Sequence, residues 1–256
     1  MSEIYVDSSK NARFRSWRSV AAGEVKEHGR TLVFGSRLSI EVAETIFWRR
    51  SWIVPGGYGG VLPDVGRPVV RLARKLFDEL DIFGTGAPFL EVELPEELPG
   101  VNVAASGLCV AVPFQDPANV GAVVRSAVGL GASGVFLLPG SANPFHPRSV
   151  RTSSGAVFRC RFAQIRSVAE AEMLGFRPIY LDSGGEAIEE FEFPTKGLLV
   201  VGVEGPGIGG LCGAVQGRSG LSSCVSKFVR LPMEGIESYN AATAAALAMY
   251  EWRRRG

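Results

Sequence analysis

The sequence is poor in the side chains that usually hold metal ions. Its 256 residues include only two histidines and four cysteines, and no two cysteines form a C-x-x-C pair. Zinc sites and disulfide frameworks need such residues at close, regular spacing. The sequence therefore argues against a metal site and against a small fold held together by disulfides.

Long apolar runs are also missing. No stretch of about 18 apolar residues occurs, as a membrane-spanning helix would need, and the N-terminal segment MSEIYVDSSKNARFR has no signal-peptide core. The 46% of hydrophobic residues is nevertheless enough for real cores. We therefore expect a soluble, reduced, cytoplasmic protein without a membrane partner.

Positive charge is concentrated at the start of the chain. Residues 1–75 carry 13 lysines and arginines against 7 acidic residues, interleaved with aromatic residues such as Trp17 and Trp48. Cations mixed with aromatic rings suit phosphate contacts and base stacking, although solvated arginines around a small core would give the same composition. The candidates for RNA contacts in this region are Arg13, Arg15, Arg18 and Arg30.

The segment LEVELPEELPGVNVAASG (90–107) contains two prolines followed by a glycine, and it predicts a domain boundary. We expect a small α/β domain at 1–95, a linker at 96–105 and a larger domain at 106–256. In the small domain, TLVFGSRLSIEVAETIFWRR predicts a strand, a turn and a helix, and PVVRLARKLFDELDIF predicts an amphipathic helix.

The larger domain alternates apolar runs with helical stretches. The runs LCVAVPF, GVFLLPG, RPIYLD, GLLVVGV and KFVRLPM are almost continuously hydrophobic. This pattern predicts a parallel sheet with helices on both faces. Ligands of such sheets bind beyond the carboxyl ends of the strands, where the sequence places three polar junctions, within 114–140, 197–210 and 231–255.

The first junction, FQDPANVGAVVRSAVGLG, has a clear helix start. Asp116 followed by Pro117 is typical of an N-cap and a first helical position. Asn119 then falls in the first turn, and Arg125 lies off the buried stripe predicted for Val120, Val124, Ala127 and Val128. A guanidinium in this position suits a phosphate, because its planar fork donates two hydrogen bonds together.

The second junction has a competing interpretation. Gly205, Gly207 and Gly210 satisfy the G-x-G-x-x-G pattern of dinucleotide-binding turns. The stretch that follows is too rich in glycine for a good helix, and no acidic residue occurs between Gly205 and Met233 to hold a ribose. The sequence therefore disfavours a nicotinamide cofactor.

Four motifs in order carry a resemblance to a known family: D-P-A-N-V-G-x-x-x-R-S-A, R-T-S-S-G-A, V-G-V-E-G-P-G and L-P-M-x-x-x-E-S-Y-N-A-A-x-A-A. Over residues 106–256 the chain resembles the SpoU (TrmH-like) family of SPOUT methyltransferases, which use S-adenosylmethionine to methylate ribose 2′-hydroxyls of tRNA or rRNA. Residues 1–95 resemble, more weakly, the ribosomal-protein-like domain that often precedes it.

The resemblance implies a SPOUT fold with a C-terminal trefoil knot, and a homodimer with the terminal helix at the interface. The matching catalytic positions are Asn119, Arg125, Glu204, Ser238 and Asn240. The positions that match donor contacts are Gly202, Leu231 and Tyr239, the last of which departs from the family's usual leucine.

The sequence leaves three roles unassigned: the cap of the terminal helix, the role of Arg151 and the general base. Ser238 and Asn240 would serve equally well to cap the terminal helix, and Arg151, in a segment that matches the family and suits RNA contact, would also fit a structured loop without a ligand. Arg125 stays protonated, so we assign it to orienting charge and leave the general base unassigned.

The sequence therefore predicts an RNA ribose 2′-O-methyltransferase with S-adenosylmethionine as donor, rRNA or tRNA as partner, and no DNA partner. The alternative is a non-catalytic RNA-binding scaffold with the same fold. Retention of the five motif residues argues against the scaffold.

Overall fold

The computed structural model describes residues 3–48, 50–96, 100–102, 106–202 and 227–255. Its contacts divide the chain into two compact units: residues 1–98 with 143–158, and residues 99–142 with 159–256. The sequence assigned 143–158 to the second domain, whereas the contacts group this segment with the first unit.

Strands and helices alternate along most of the described chain. In order they are β1 (Glu3–Val6), α1 (Ala12–Ala22), α2 (Val25–His28), β2 (Arg30–Val33), α3 (Ser36–Thr45), β3 (Arg50–Pro55), β4 (Val69–Leu72), α4 (Arg74–Leu80), β5 (Phe89–Glu93), β6 (Gly107–Val112), α5 (Pro117–Leu130), β7 (Gly134–Leu137), α6 (Pro147–Thr152), β8 (Phe162–Gln164), α7 (Val168–Met173), β9 (Arg177–Ala187), β10 (Lys196–Val200), β11 (Lys227–Arg230) and α8 (Ala241–Arg255).

The first unit is built on a five-stranded mixed sheet of order β1-β4-β3-β5-β2. Strands β1 and β3 run parallel to β4, and β5 runs antiparallel to β3 and β2. The predicted strand, turn and helix at TLVFGSRLSIEVAETIFWRR are confirmed as β2 and α3.

The helix predicted for PVVRLARKLFDELDIF is wrong in its first part. Residues Val69–Leu72 form β4, in the middle of the parallel pairs with β1 and β3. Adjacent β-branched valines favour a strand, and pairing on both edges outweighs the helical spacing. Helix α4 begins only at Arg74, and it buries Leu76, Phe77 and Leu80.

The second unit contains a six-stranded sheet of order β11-β9-β10-β6-β7-β8, in which every described pair is parallel. The five apolar runs are confirmed as β6, β7, β9, β10 and β11. Strand β8, which is only three residues long, was not predicted. The α/β class with a parallel sheet is therefore confirmed, whereas the knot depends on the chain after β10, where residues 203–226 lie outside the described residues.

The end of α8 is held by charge and by backbone carbonyls. Arg254 and Arg255 both donate to Glu251, and hydrogen bonds from these two guanidinium groups lower the pKa of that carboxyl to about 2. Arg255 also donates to the carbonyls of Ile188 and Phe191, at 2.6 and 2.9 Å. The last turn of α8 is thus fixed to the turn that follows β9.

No helix in the described ranges combines the length and the hydrophobicity that crossing a membrane requires.

Segment 143–158 packs through α6 on strand β2 of the first unit. The buried hydroxyl of Thr31 donates to the carbonyl of Phe145 at 2.6 Å. Phe145 and Phe158 contact Trp48, with ring centroids 6.0 and 5.7 Å from it. Residues 143–158, which begin more than 40 positions after the end of the main segment 1–98, therefore complete the core of the first unit.

We predict that Thr31→Val destabilises the first unit by about 1–3 kcal/mol, because the Phe145 carbonyl loses a buried donor. Urea denaturation followed by tryptophan fluorescence measures this, since Trp17, Trp48 and Trp52 lie in the first unit. Thr45→Val is the matched control: the exposed Thr45 hydroxyl donates to Glu41 O, and its loss should change stability by no more than about 0.5 kcal/mol. Equal effects of the two substitutions would contradict the prediction.

Candidate functional site

Strands β6 and β10 bring two of the polar junctions together. They are neighbours in the sheet, with Val200 opposite Ala111, so the chains leaving Val112 and Val200 emerge side by side at the carboxyl edge. Gly202 lies two residues beyond β10 and is half-buried. Glu204, expected at the same edge, lies outside the described residues.

The connection from β6 to α5 is fixed by the loop after β7. The Val112 carbonyl accepts hydrogen bonds from Leu138 N at 3.1 Å and from Ser141 Oγ at 2.5 Å. The Phe114 carbonyl accepts from Ala142 N at 2.8 Å. Sequence reasoning missed Ser141, whose only signal was a serine one residue after the Pro-Gly turn that ends β7.

Helix α5 begins and faces as the sequence predicts. Asp116 Oδ1 accepts from Ala118 N at 2.9 Å, and Pro117 occupies the first turn. Asn119 is half-buried in that turn and Arg125 is exposed. Of the predicted stripe, Val120, Val124 and Ala127 are buried, whereas Val128 is only half-buried. Because α5 packs against α8, the first and third motifs belong to one assembled region.

Asn240 caps the terminal helix. Its Oδ1 accepts from Ala242 N at 3.0 Å and from Thr243 N at 3.3 Å. Ser238 is exposed, so of the two candidates the structure gives the capping role to Asn240. Capping does not preclude contact with a ligand, since a helix N-terminus offers further backbone donors to anions.

The turn between β11 and α8 is closed by Tyr239. Its hydroxyl donates to the Pro232 carbonyl at 2.9 Å, which joins the two ends of the loop 232–239. Leu231, just before this loop, is buried, while Ile236 at its tip is 52% exposed. The phenol ring that departs from the family pattern therefore has a local structural role.

Two cysteines of the second unit are unsuited to nucleophilic chemistry. Cys109 and Cys160 are buried, and burial raises the pKa of each thiol to about 12. Thiolates are the reactive form, so both groups stay protonated near neutral pH.

The five arginines expected to contact RNA all lie in the first unit, in differing surroundings. Arg15 is exposed on α1. Arg13 lies over the Trp17 ring at 5.7 Å, and Arg18 pairs with Glu79 at 3.4 Å across a largely exposed surface. Arg151 lies 4.3 Å from the centroid of the Phe83 ring. These four leave cationic surface on the unit.

Arg30 is different, because a buried carboxylate holds it. Glu91 is 1% exposed, and its Oε1 accepts from Arg30 Nη1 and from the indole N–H of Trp17, both at 2.7 Å. A buried carboxylate requires partners of this kind. The structure therefore gives Arg30 a role in the core of the first unit.

The strand ends and helix starts described above lie within a stretch of the chain that matches one protein family. Residues 108–250 match the SpoU rRNA Methylase family. The chain belongs to this family. The match spans every predicted catalytic and donor position, so the resemblance drawn from the motifs is confirmed.

Two related proteins are also similar to this chain outside residues 108–250. A protein named ribosomal RNA small subunit methyltransferase G 2, from Syntrophobacter fumaroxidans, is 36% identical over 98% of this chain and 49% of its own length. The chain thus spans about half of that relative. A 23S rRNA (uridine(2479)-2′-O)-methyltransferase of Streptomyces viridochromogenes is 28% identical over 95% of this chain and 90% of that protein.

A solved structure shows the same architecture. The SpoU methyltransferase AviRb from Streptomyces viridochromogenes, in complex with the cofactor AdoMet, matches with a TM-score of 0.74 and 26% identity. The alignment covers 96% of this chain and 98% of that one. The similarity to this SpoU member therefore includes both units.

We predict that Arg30→Ala lowers the free energy of unfolding by about 3 kcal/mol, because the buried Glu91 side chain would lose its ionic partner and retain only the hydrogen bond from the Trp17 indole. Arg15→Ala, which removes an exposed arginine from α1, should change stability by less than about 0.5 kcal/mol. Urea denaturation of both variants measures the difference. A stable Arg30→Ala protein would show that the pair with Glu91 contributes little.

We predict that Tyr239→Phe loosens the loop 232–238. Loss of one hydrogen bond, about 1 kcal/mol, should speed amide exchange in this loop about fivefold. Hydrogen exchange read by mass spectrometry measures the change. Tyr250→Phe is the control, because Tyr250 is 56% exposed on α8, and an equal change in both variants would contradict the predicted role of Tyr239.

Proposed function

We propose that the chain transfers the methyl group of S-adenosylmethionine to a ribose 2′-hydroxyl of RNA. The observation that carries the proposal is the joining of β6, β10, α5 and α8 at one edge of the sheet, where Asn119, the exposed Arg125 and Asn240 follow the family's motif order. The Streptomyces relative named as a 2′-O-methyltransferase, matched over most of its length, supports the choice of a ribose oxygen.

The residues present suit the donor. Leu231 gives a buried apolar side chain at the end of β11, and Gly202 gives backbone without a side chain beyond β10. Apolar walls beside free backbone groups are the usual means of holding an adenine ring and its polar edge. When bound, S-adenosylmethionine supplies an already activated methyl group.

The protein's main task is then to position the ribose. Arg125, on the exposed side of α5, would hold a phosphate next to the target ribose by its two-pronged donor geometry. Asn119 and the capped start of α8 would supply neutral donors nearby. Correct alignment alone lowers such a barrier by several kcal/mol.

Ribosomal RNA is the first RNA class to test, since both relatives described above are named for it; transfer RNA is the second. We place the protein in the cytoplasm, where both RNAs occur. The proposal includes a homodimer through α8, supported by Leu247 and Tyr250, which leave apolar surface exposed on that helix at 39% and 56%.

The decisive experiment is transfer of radiolabelled methyl from S-adenosylmethionine to ribosomal and transfer RNA. Wild type should label 2′-oxygens, and Arg125→Ala should lower the rate about 100-fold to 1,000-fold, as removal of one preorganised charge donor does. Arg125→Lys keeps the positive charge but loses the planar, two-pronged donor of the guanidinium. A rate between those of wild type and Arg125→Ala would therefore assign part of the effect to the donor geometry. Arg166→Ala removes another exposed arginine of the second unit and should leave the rate unchanged.

Calorimetry with S-adenosylmethionine separates the remaining outcomes. Binding without transfer to either RNA would favour the non-catalytic scaffold. No binding by a folded wild-type protein would overturn the methyltransferase proposal.

A further inference from the structure

A cavity lies at the amino-terminal edge of the six-stranded sheet, opposite the edge that carries the candidate site. It has a volume of about 320 Å³ and is lined by Val128 of α5, by Ala132 and Ser133 just before β7, by residues 159–161 just before β8, and by Asn102. Its polar lining comes from Ser133, Arg159, Arg161 and Asn102, and none of its lining residues is acidic. This cavity takes no part in the candidate site at the carboxyl edge.

The walls of the cavity are fixed by backbone hydrogen bonds. Ser133 N donates to Leu108 O at 2.7 Å, and the carbonyl of Arg161 accepts from Val135 N at 2.9 Å. On the other side, Val101 N donates to Phe162 O at 3.3 Å, which places the neighbouring Asn102 beside β8. The polar groups are therefore carried on ordered backbone, as a preformed binding site requires.

The local electrostatics favour an anion. The C-terminal carbonyls of a helix would repel negative charge, but those of Val128 and Ala127 accept hydrogen bonds from Gly131 N and Ala132 N, at 3.3 and 2.8 Å. Arg159 and Arg161 line the cavity together with no acidic residue, and a guanidinium has five N–H donors. Arg161 is exposed.

Ser133 adds a hydroxyl to the lining of the cavity. This hydroxyl donates to Ser106 O at 3.1 Å, so its oxygen can accept a hydrogen bond from a sugar hydroxyl but cannot donate to a phosphate. The remaining wall, formed by Val128, Ala132 and Cys160, is apolar or weakly polar. Such a mixture accepts a phosphate group together with the sugar attached to it.

We propose that this cavity binds a backbone phosphate of the RNA substrate, with Arg161 as its main donor. The identity of the ligand rests on the proposed function; the affinity for phosphate esters does not. Strand β6 has six residues, so the two edges of the sheet are about 20 Å apart. The phosphate bound here thus belongs to a nucleotide away from the one that reacts, and it contributes to affinity rather than to the chemical step.

The test compares Arg161→Ala with wild type and with Arg166→Ala, a matched loss of an exposed arginine near the same strand. Binding of fluorescein-labelled oligouridylate is measured by anisotropy at several salt concentrations. Arg161→Ala should bind about threefold to fivefold more weakly, and the slope of log K against log salt should fall by about 0.7 to 1. Uridine monophosphate followed by NMR distinguishes a free nucleotide from RNA as the ligand.

Further readouts separate this proposal from the proposed function. In methyl transfer, Arg161→Ala should raise KM for RNA and leave kcat and binding of S-adenosylmethionine unchanged, which also shows that the variant folds. Absence of transfer by wild type would remove the proposed function but leave the anisotropy and NMR results interpretable. The cavity proposal is overturned if Arg161→Ala equals Arg166→Ala in oligouridylate affinity, salt slope and nucleotide binding.

Discussion

The carbonyl groups at the end of β6 are the constraint on which the candidate site depends. Val112 O receives Leu138 N and Ser141 Oγ, and Phe114 O receives Ala142 N. These bonds join the exits of two adjacent parallel strands just before Asp116 caps α5. The position of Asn119 and Arg125 follows from that helix start. A change in the loop after β7 would therefore act on the site without touching a ligand.

Helix α8, the other helix of the site, is also held in place by hydrogen bonds near its ends. Helix α8 begins at a side-chain cap, Asn240, and ends at carbonyls that Arg255 binds. Between these fixed ends its small alanines, such as Ala245 and Ala248, are fully buried. Small side chains permit close packing on α5. The site is thus assembled from one helix fixed by its strand and a second helix fixed at both termini.

Local patterns were sufficient to predict much of this arrangement. The Asp-Pro start of α5 and the continuous apolar strands depend on neighbours in sequence, and both are confirmed. Helix α6, which begins at Pro147, was not predicted, and its place in the first unit depends on Thr31 and Trp48, more than 90 residues away. The long strand β9 runs through two glycines, against their usual preference. Gly185 is needed there because a Cβ would lie only 2.4 Å from the Phe228 backbone, and such an approach leaves no local signal.

The basic N-terminal region shows why a charge count predicts RNA binding only loosely. Arg30 neutralises the buried Glu91, Arg50 donates to the carbonyls of Ala43 and Trp48, and Arg71 forms a two-pronged pair with Glu3. That pair lowers the pKa of the Glu3 carboxyl. Arginines engaged in this way would have to give up good hydrogen bonds before meeting a phosphate. The capacity of the first unit to attract RNA therefore depends on arginines with weaker internal ties, such as Arg15 on α1.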